Sequence, residues 1–247
     1  MIRGLYNSTK TRVIPLMDTI ENDKGNINKL FSLMDGIEKI SSEETIKVFY
    51  GKKEKGLCPK QSILEWYINN LNKLKCVKDF GSKNEETKQN RRILFSGSEE
   101  KKKEALSLIR ENPTIQNEWY IFEGYSRPDI YIETESAIYL CEAKRTESKL
   151  TTSTQWLYPR DQLIRHIDSV IDGTKKVYSF LLISEDKVND YNLSRYEDFD
   201  YFVNSLPHRK NKDEILKIKN SFCGYTTWEK ISNTFGIKFP NTINDIE

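Results

Sequence analysis

The sequence predicts an α/β fold, with a sheet flanked by helices and helical extensions at both ends. Apolar and polar residues alternate in 129–132 and again in 138–140, the period of strands with one packed face, around a short polar turn at 133–136. Residues 177–183 form a near-continuous apolar run, as in a strand buried on both faces. Apolar residues recur at helical spacing in 61–74 and in 161–171, before and after the hairpin.

Taken in order, residues 1–59 carry the weakest signals. Ile14, Pro15 and Leu16 make a short apolar piece, Ile27, Leu30, Phe31, Met34 and Ile37 follow helical spacing, and Val48, Phe49 and Tyr50 are compatible with a strand. This segment reads as an N-terminal extension that packs on the core or meets a partner. Pro59 then suits a helix entry, and Ile63, Leu64, Tyr67, Ile68, Leu71 and Leu74 form one stripe. The charged stretch 80–97, with Gly81, Ser82, Ser96 and Gly97, reads as a loop or linker. Ser98 caps a second helix running to Arg110, ended by Asn112 and Pro113. Residues 119–122 are aromatic and β-branched, hence a strand, and Gly124 turns the chain into the hairpin, giving three strands in succession. A helix over 161–171 ends at Gly173 and leads into the strand 177–183. Beyond Glu185 helices are expected over 196–206, 213–222 and 226–234, before an apolar 237–239. The expected division is an N-terminal extension, 1–59, a core, 60–185, and a C-terminal helical extension, 186–247.

Composition narrows the function classes. The 247-residue chain is 37% hydrophobic and 31% charged with a net charge of +2, which suits a polar folded protein. That charge is too small to establish nucleic-acid binding, although 52–60, 83–92 and 208–219 are locally basic. No apolar run is long enough for a membrane span and the N-terminus lacks a secretory signal, so a cytoplasmic location and no membrane partner are expected. Cys58, Cys76, Cys141 and Cys223 show no CxxC spacing and read as reduced thiols. His166 and His208 are the only histidines, which argues against a zinc site and against imidazole-based nuclease chemistry.

The chemistry is concentrated in RPDIYIETESAIYLCEAK, residues 127–144. Antiparallel pairing sets Asp129 opposite the end of the second strand, and residues two apart share a face, so Glu142 and Lys144 point one way and Ala143 the other. Two carboxylates and one ammonium then meet at one end of the hairpin. Carboxylates so close repel unless a divalent cation sits between them, and hard oxygen ligands suit Mg²⁺. A surface hairpin with an ion pair is the bland alternative.

The combination Pro128, Asp129, Glu142, Ala143, Lys144 in this strand context resembles the PD-(D/E)xK nuclease superfamily. The resemblance covers about one hairpin within a compatible order of helix, three strands, helix, strand. It implies a restriction-endonuclease-like core with a central mixed β-sheet, in which Asp129, Glu142 and the Ala143 carbonyl hold Mg²⁺, with Mn²⁺ as a substitute, and Lys144 orients or helps deprotonate the attacking water. It also implies a third carboxylate, for which Glu65 on the preceding helix and Glu123 are the alternatives, and cleavage leaving a 5′-phosphate. Some branches carry a glutamine followed four residues later by a tyrosine to orient the active site and substrate. Gln162 fits the first position, and His166 departs from the second; it is either a substrate contact or a structural histidine.

After Lys144 the run RTESKLTTSTQWLYPR offers hydroxyls, Arg145, Lys149 and Arg160 for phosphates, and Trp156 and Tyr158 as exposed-looking aromatics for bases, or else is an ordinary connection. The expectation is a metal-dependent nuclease acting on nucleic acid, DNA favoured, with a homodimer or a protein partner left open. A noncatalytic DNA- or protein-binding module that keeps the nuclease fold is the alternative.

Overall fold

The computed structural model describes residues 6–112, 114 and 116–246. Its centre is a five-stranded sheet whose order in space follows the sequence: β1 (Lys47–Tyr50), β2 (Ile130–Glu133), β3 (Ala137–Ala143), β4 (Lys176–Ile183) and β5 (Phe222–Thr227). The pairs β1–β2 and β2–β3 are antiparallel, while β3–β4 and β4–β5 are parallel, so the sheet is mixed.

Side-chain alternation sorts β2 and β3 onto two packed layers. Ile130, Ile132, Tyr139 and Cys141 face a layer built by α1 (Ile14–Ile20), α2 (Lys24–Phe31) and α9 (Trp228–Phe235). Tyr131, Ile138 and Leu140 face α6 (Gln162–Val170), α7 (Phe199–Ser205) and α8 (Lys212–Asn220). Every residue of β3 is buried. Its neighbour β4 is buried after Lys176, which is why 177–183 reads as continuously apolar. The amphipathic helix α6 lays Leu163, Ile164 and Ile167 on this layer and starts at Asp161, whose carboxylate accepts the N–H groups of Leu163 (2.9 Å) and Ile164 (3.2 Å).

The expected strand at 119–122 does not form. These residues are buried in a third cluster with α3 (Gln61–Asn69) and α5 (Glu99–Glu111), and their carbonyls meet a side chain rather than a neighbouring strand. The buried Arg91 guanidinium donates to the carbonyl oxygens of Trp119 (2.7 Å) and Ile121 (3.0 Å) and lies over the rings of Phe122 and Trp156. Aromatic content drove the strand reading, and burial among helices satisfies it equally well. Arg91 belongs to α4 (Glu85–Phe95), a helix inside the stretch expected to be loop; Asn84 caps it and Glu85 and Glu86 occupy its first turn. Pro113, expected to end α5, lies outside the described residues.

The place of the missing strand is taken by β1, where Val48, Phe49 and Tyr50 pair with Ile132, Tyr131 and Ile130. The expected order built on 61–74 and 119–122 is not met by those residues: α2, β1, β2, β3, α6 and β4 follow one another as helix, three strands, helix and strand, and α3 to α5 are inserted between the first two strands. Both segments expected as extensions contribute to the sheet: 1–59 supplies β1, and 186–247 supplies β5 as well as helices. Residues 222–227 span the end of one expected helix, 213–222, and the start of the next, 226–234. They form a strand against β4 with one extra residue opposite Ser179–Leu181, where Gly224 takes a φ of +89°, and such a bulge erases the alternation that marks a strand. Among the described residues no helix is long and apolar enough to cross a membrane.

A buried charge cluster ties the third cluster to the sheet. Arg160 donates to Glu123 through Nε and Nη2 (both 2.8 Å), to Asp168 on α6 (2.9 Å) and to the Ser205 carbonyl at the end of α7 (3.0 Å); Tyr67 on α3 donates to Glu123 (2.9 Å). Burial favours a protonated Glu123, but the facing Arg160 and Arg165 outweigh it and bring the carboxyl down to about 2. Removing the guanidinium leaves two buried carboxylates with weaker compensation, Glu123 from Arg165 (3.3 Å) and Asp168 from Arg209 (2.8 Å). Arg160→Met is therefore expected to lower the unfolding free energy by about 3–5 kcal/mol in urea denaturation. The loss should shrink in a Glu123→Gln background, where one of the two buried charges is gone.

Candidate functional site

The hairpin register decides where the charged residues go. Ile130 pairs with Cys141, so the residue before Ile130 comes level with the one after Cys141. Asp129 continues the face of Tyr131 and Glu142 that of Leu140, which is the α6 side of the sheet in both cases. The Ala143 N–H donates to Asp129 Oδ2 at 2.8 Å, clamping the carboxylate to the far end of β3, and the Thr9 hydroxyl approaches Oδ1 at 3.4 Å. Lys144 is fixed by its backbone: its N–H donates to the Leu182 carbonyl (2.8 Å) and its carbonyl accepts the Trp228 indole N–H (2.9 Å).

Glu142 is buried and doubly held. Lys144 Nζ donates to Oε1, and His166 Nε2 lies 3.1 Å from Oε2. Burial pushes the Glu142 carboxyl up, but the His166 hydrogen bond and the Lys144 charge outweigh it, and the group ends below its ordinary value. Lys144 responds in the opposite sense: burial favours the neutral amine, yet Glu142 and Asp129 hold it as ammonium with a raised pKa. Asp129 has no cation of its own within hydrogen-bonding distance among the described residues. Burial and the Glu142 charge push its carboxyl up from 3.8 to about 7.

A further carboxylate belongs to this neighbourhood. Glu54 follows β1 and its short 3₁₀ turn; burial raises its pKa, Arg127 opposes the rise and Glu142 adds to it. Because β1 runs antiparallel to β2 with Tyr50 opposite Ile130, the chain leaving β1 heads for Asp129. The sequence signal was available only to a reading that placed 48–50 beside the hairpin.

Neither expected third carboxylate reaches the site. Glu65 receives Arg110 (3.0 Å) and Gln61 (2.9 Å), since α3 lies in the insert between β1 and β2 and not directly ahead of the sheet. Glu123 is committed to Arg160. Gln162 sits at the first turn of α6, one turn before His166, and its side chain makes no hydrogen bond among the described residues.

Three of the expected nucleic-acid contacts are structural. His166 is fully buried and braces Glu142, Arg160 anchors the interior cluster, and Arg145 is buried with its guanidinium on the Thr11 hydroxyl (2.9 Å) and the Asn241 carbonyl (2.7 Å). Positive charge on these side chains answers internal acceptors, which the linear sequence does not display. Lys149 is exposed. Trp156, expected on the surface, is buried against Phe95 and Phe122, whereas Tyr158 is 65% exposed.

No protein-family model, no curated protein and no solved structure matches the chain significantly.

The raised Asp129 pKa has a stability consequence. Between its unfolded value near 3.8 and its folded value of about 7, the folded protein keeps a proton that the unfolded chain has lost, so stability falls as pH rises through that window. Asp129→Asn removes the fall. In chelator, its urea midpoint should exceed that of the unaltered protein at about pH 8 and match it at about pH 3. A lower midpoint at the higher pH would show that Asp129 is not under this strain.

Proposed function

We propose that the protein is a metal-dependent phosphodiesterase that cuts nucleic acid, with DNA the favoured substrate, on a restriction-endonuclease-like core. The observation that carries this reading is the meeting of Asp129, Glu142 and Lys144 on one face at one end of the β2–β3 hairpin. The order of elements supports it as well: three antiparallel strands, then a helix leading to a parallel strand, is what the sequence resemblance implies.

The donor chemistry fits a hard cation. Asp129, Glu142 and nearby Glu54 outnumber Lys144, and the surplus negative charge falls on Asp129, whose partners are a backbone N–H and a hydroxyl. Among the described residues no three His, Cys, Asp or Glu side chains form a group able to hold a metal ion. A site with two carboxylates and the Ala143 carbonyl suits Mg²⁺, which keeps several waters and completes its shell with substrate phosphate; Mn²⁺ would substitute. When bound, such an ion supplies positive charge to the phosphoryl and departing oxygens and acidifies water.

The chain's own residues divide the remaining work. His166 fixes one oxygen of Glu142, which sets the orientation of the other. The Ala143 N–H and Thr9 do the same for Asp129. Lys144, held as an ammonium, acts as a donor that positions the attacking water and steadies negative charge on the phosphate. Its raised pKa makes it a poor base while it is paired with Glu142. Asp129 and Glu54 are less deeply buried than Glu142, and a substrate would approach from their side.

Incubation of the purified protein with plasmid, linear, single-stranded and RNA substrates tests the reading, with and without Mg²⁺ or Mn²⁺. Asp129→Asn, Glu142→Gln and Lys144→Ala should each reduce cleavage at least about a hundredfold without loss of the folded spectrum. Undiminished cutting by the Lys144→Ala protein would falsify its assigned role. Calorimetric titration with Mn²⁺ should show binding that Asp129→Asn abolishes. A protein that takes up no divalent cation and leaves every substrate whole is instead a noncatalytic binding module.

A further inference from the structure

A cleft of about 600 Å³ lies away from the hairpin, between α3, the loop over 151–160, and the α7–α8 corner. Its walls combine ring faces with cations. Trp66, Tyr158 and Phe199 contribute aromatic surface, and Lys73, Lys210 and Lys212 surround them. Among the described residues no carboxylate lines it, although the chain as a whole has 37 acidic residues against 39 basic ones. Arg209, also in the wall, is engaged by Asp168 (2.8 Å) and Asp172 (2.9 Å), so the lysines carry the available charge.

The lysines rest on rings. Lys73 Nζ lies 5.8 Å from the Trp66 ring centroid, Lys212 lies 5.5 Å from that of Phe199, and Lys75, beside the cleft, lies 5.6 Å from that of Tyr158. Exposed pairs of this kind are weak and break readily. Two of the large apolar side chains that the fold leaves exposed, Tyr158 at 65% and Val203 at 37%, meet in this one cleft. Tyr158 has no apolar duty in the interior that would explain its place.

We propose that this cleft binds single-stranded nucleic acid, stacking unpaired bases on Tyr158 and Trp66 while Lys73, Lys210 and Lys212 take the phosphates. Alternating rings and cations suit a strand that carries a π face and a negative charge on every unit. A duplex offers the lysines its phosphates but keeps its bases stacked inside, out of reach of the rings. The choice of nucleic acid over an acidic peptide rests on the nuclease reading, and binding here does not require the hairpin to cut.

Fluorescence anisotropy with labelled oligothymidylate in chelator tests the proposal without turnover. The unaltered protein should bind the single strand, and a blunt duplex of equal length should bind at least about tenfold more weakly. Tyr158→Ala and Lys212→Glu, both surface changes, should each weaken single-strand binding about tenfold with unchanged circular dichroism. Absence of binding, equal affinity for the duplex, unchanged affinity in both variants, or displacement by polyglutamate as effective as by oligonucleotide would each overturn it. Variants that lose binding in a protein that cuts nothing under any metal would sink the nuclease reading and leave the cleft assignment standing. Cutting that persists beside unaltered variant binding would do the reverse.

Discussion

The pairing of β2 with β3 is the constraint on which the rest of the structure depends. With Ile130 opposite Cys141, one layer receives Ile130, Ile132, Tyr139 and Cys141 and the other receives Tyr131, Ile138 and Leu140. A slip of one residue would exchange the faces of a whole strand, so both apolar layers enforce the register. The same register carries Asp129 to Glu142. The Ala143 N–H bond to Asp129 extends the ladder by one contact past the last paired residue, turning a hydrophobic alignment into a placement of charge.

Two buried charge clusters on the α6 side show how differently such placements can end. Around Arg160, acids and guanidinium groups balance, the hydrogen bonds are short, and both Glu123 and Asp168 are held ionised. At the hairpin end, Glu142 is satisfied by Lys144 and His166, but Asp129 is left with a surplus of negative charge that burial makes costly. A cluster complete in itself glues α3, α6 and α7 together. At the hairpin end that balance is not reached, and groups with perturbed ionisation of this type concentrate at functional sites.

His166 links the two themes. It sits on α6 two residues before Asp168, which receives Arg160, and its imidazole braces Glu142. The packing of α6 on the sheet thereby sets the orientation of a carboxylate in the candidate site. The inserted helices α3 to α5 reach the same helix through Glu123 and Arg160. Helix α3 and the 3₁₀ turn that follows it also supply Trp66 and Lys73 to the cleft.

Much of this was legible in the chain. The hairpin, α6 and β4 follow from local periodicity, and the convergence of Asp129, Glu142 and Lys144 follows from pairing two adjacent strands, because neighbours in sequence leave little choice of partner. The sequence by itself determined those elements and that charged end. Only the tertiary structure decided that β1 and not 119–122 completes the antiparallel trio, that Glu54 and not Glu65 or Glu123 comes near, and that Arg145, Arg160 and His166 turn inward. A strand across an insertion of some eighty residues is chosen by the packing it gains, and a charged side chain faces inward or outward according to acceptors that lie far away along the chain; neither cause acts between residues close enough in sequence to leave a local pattern.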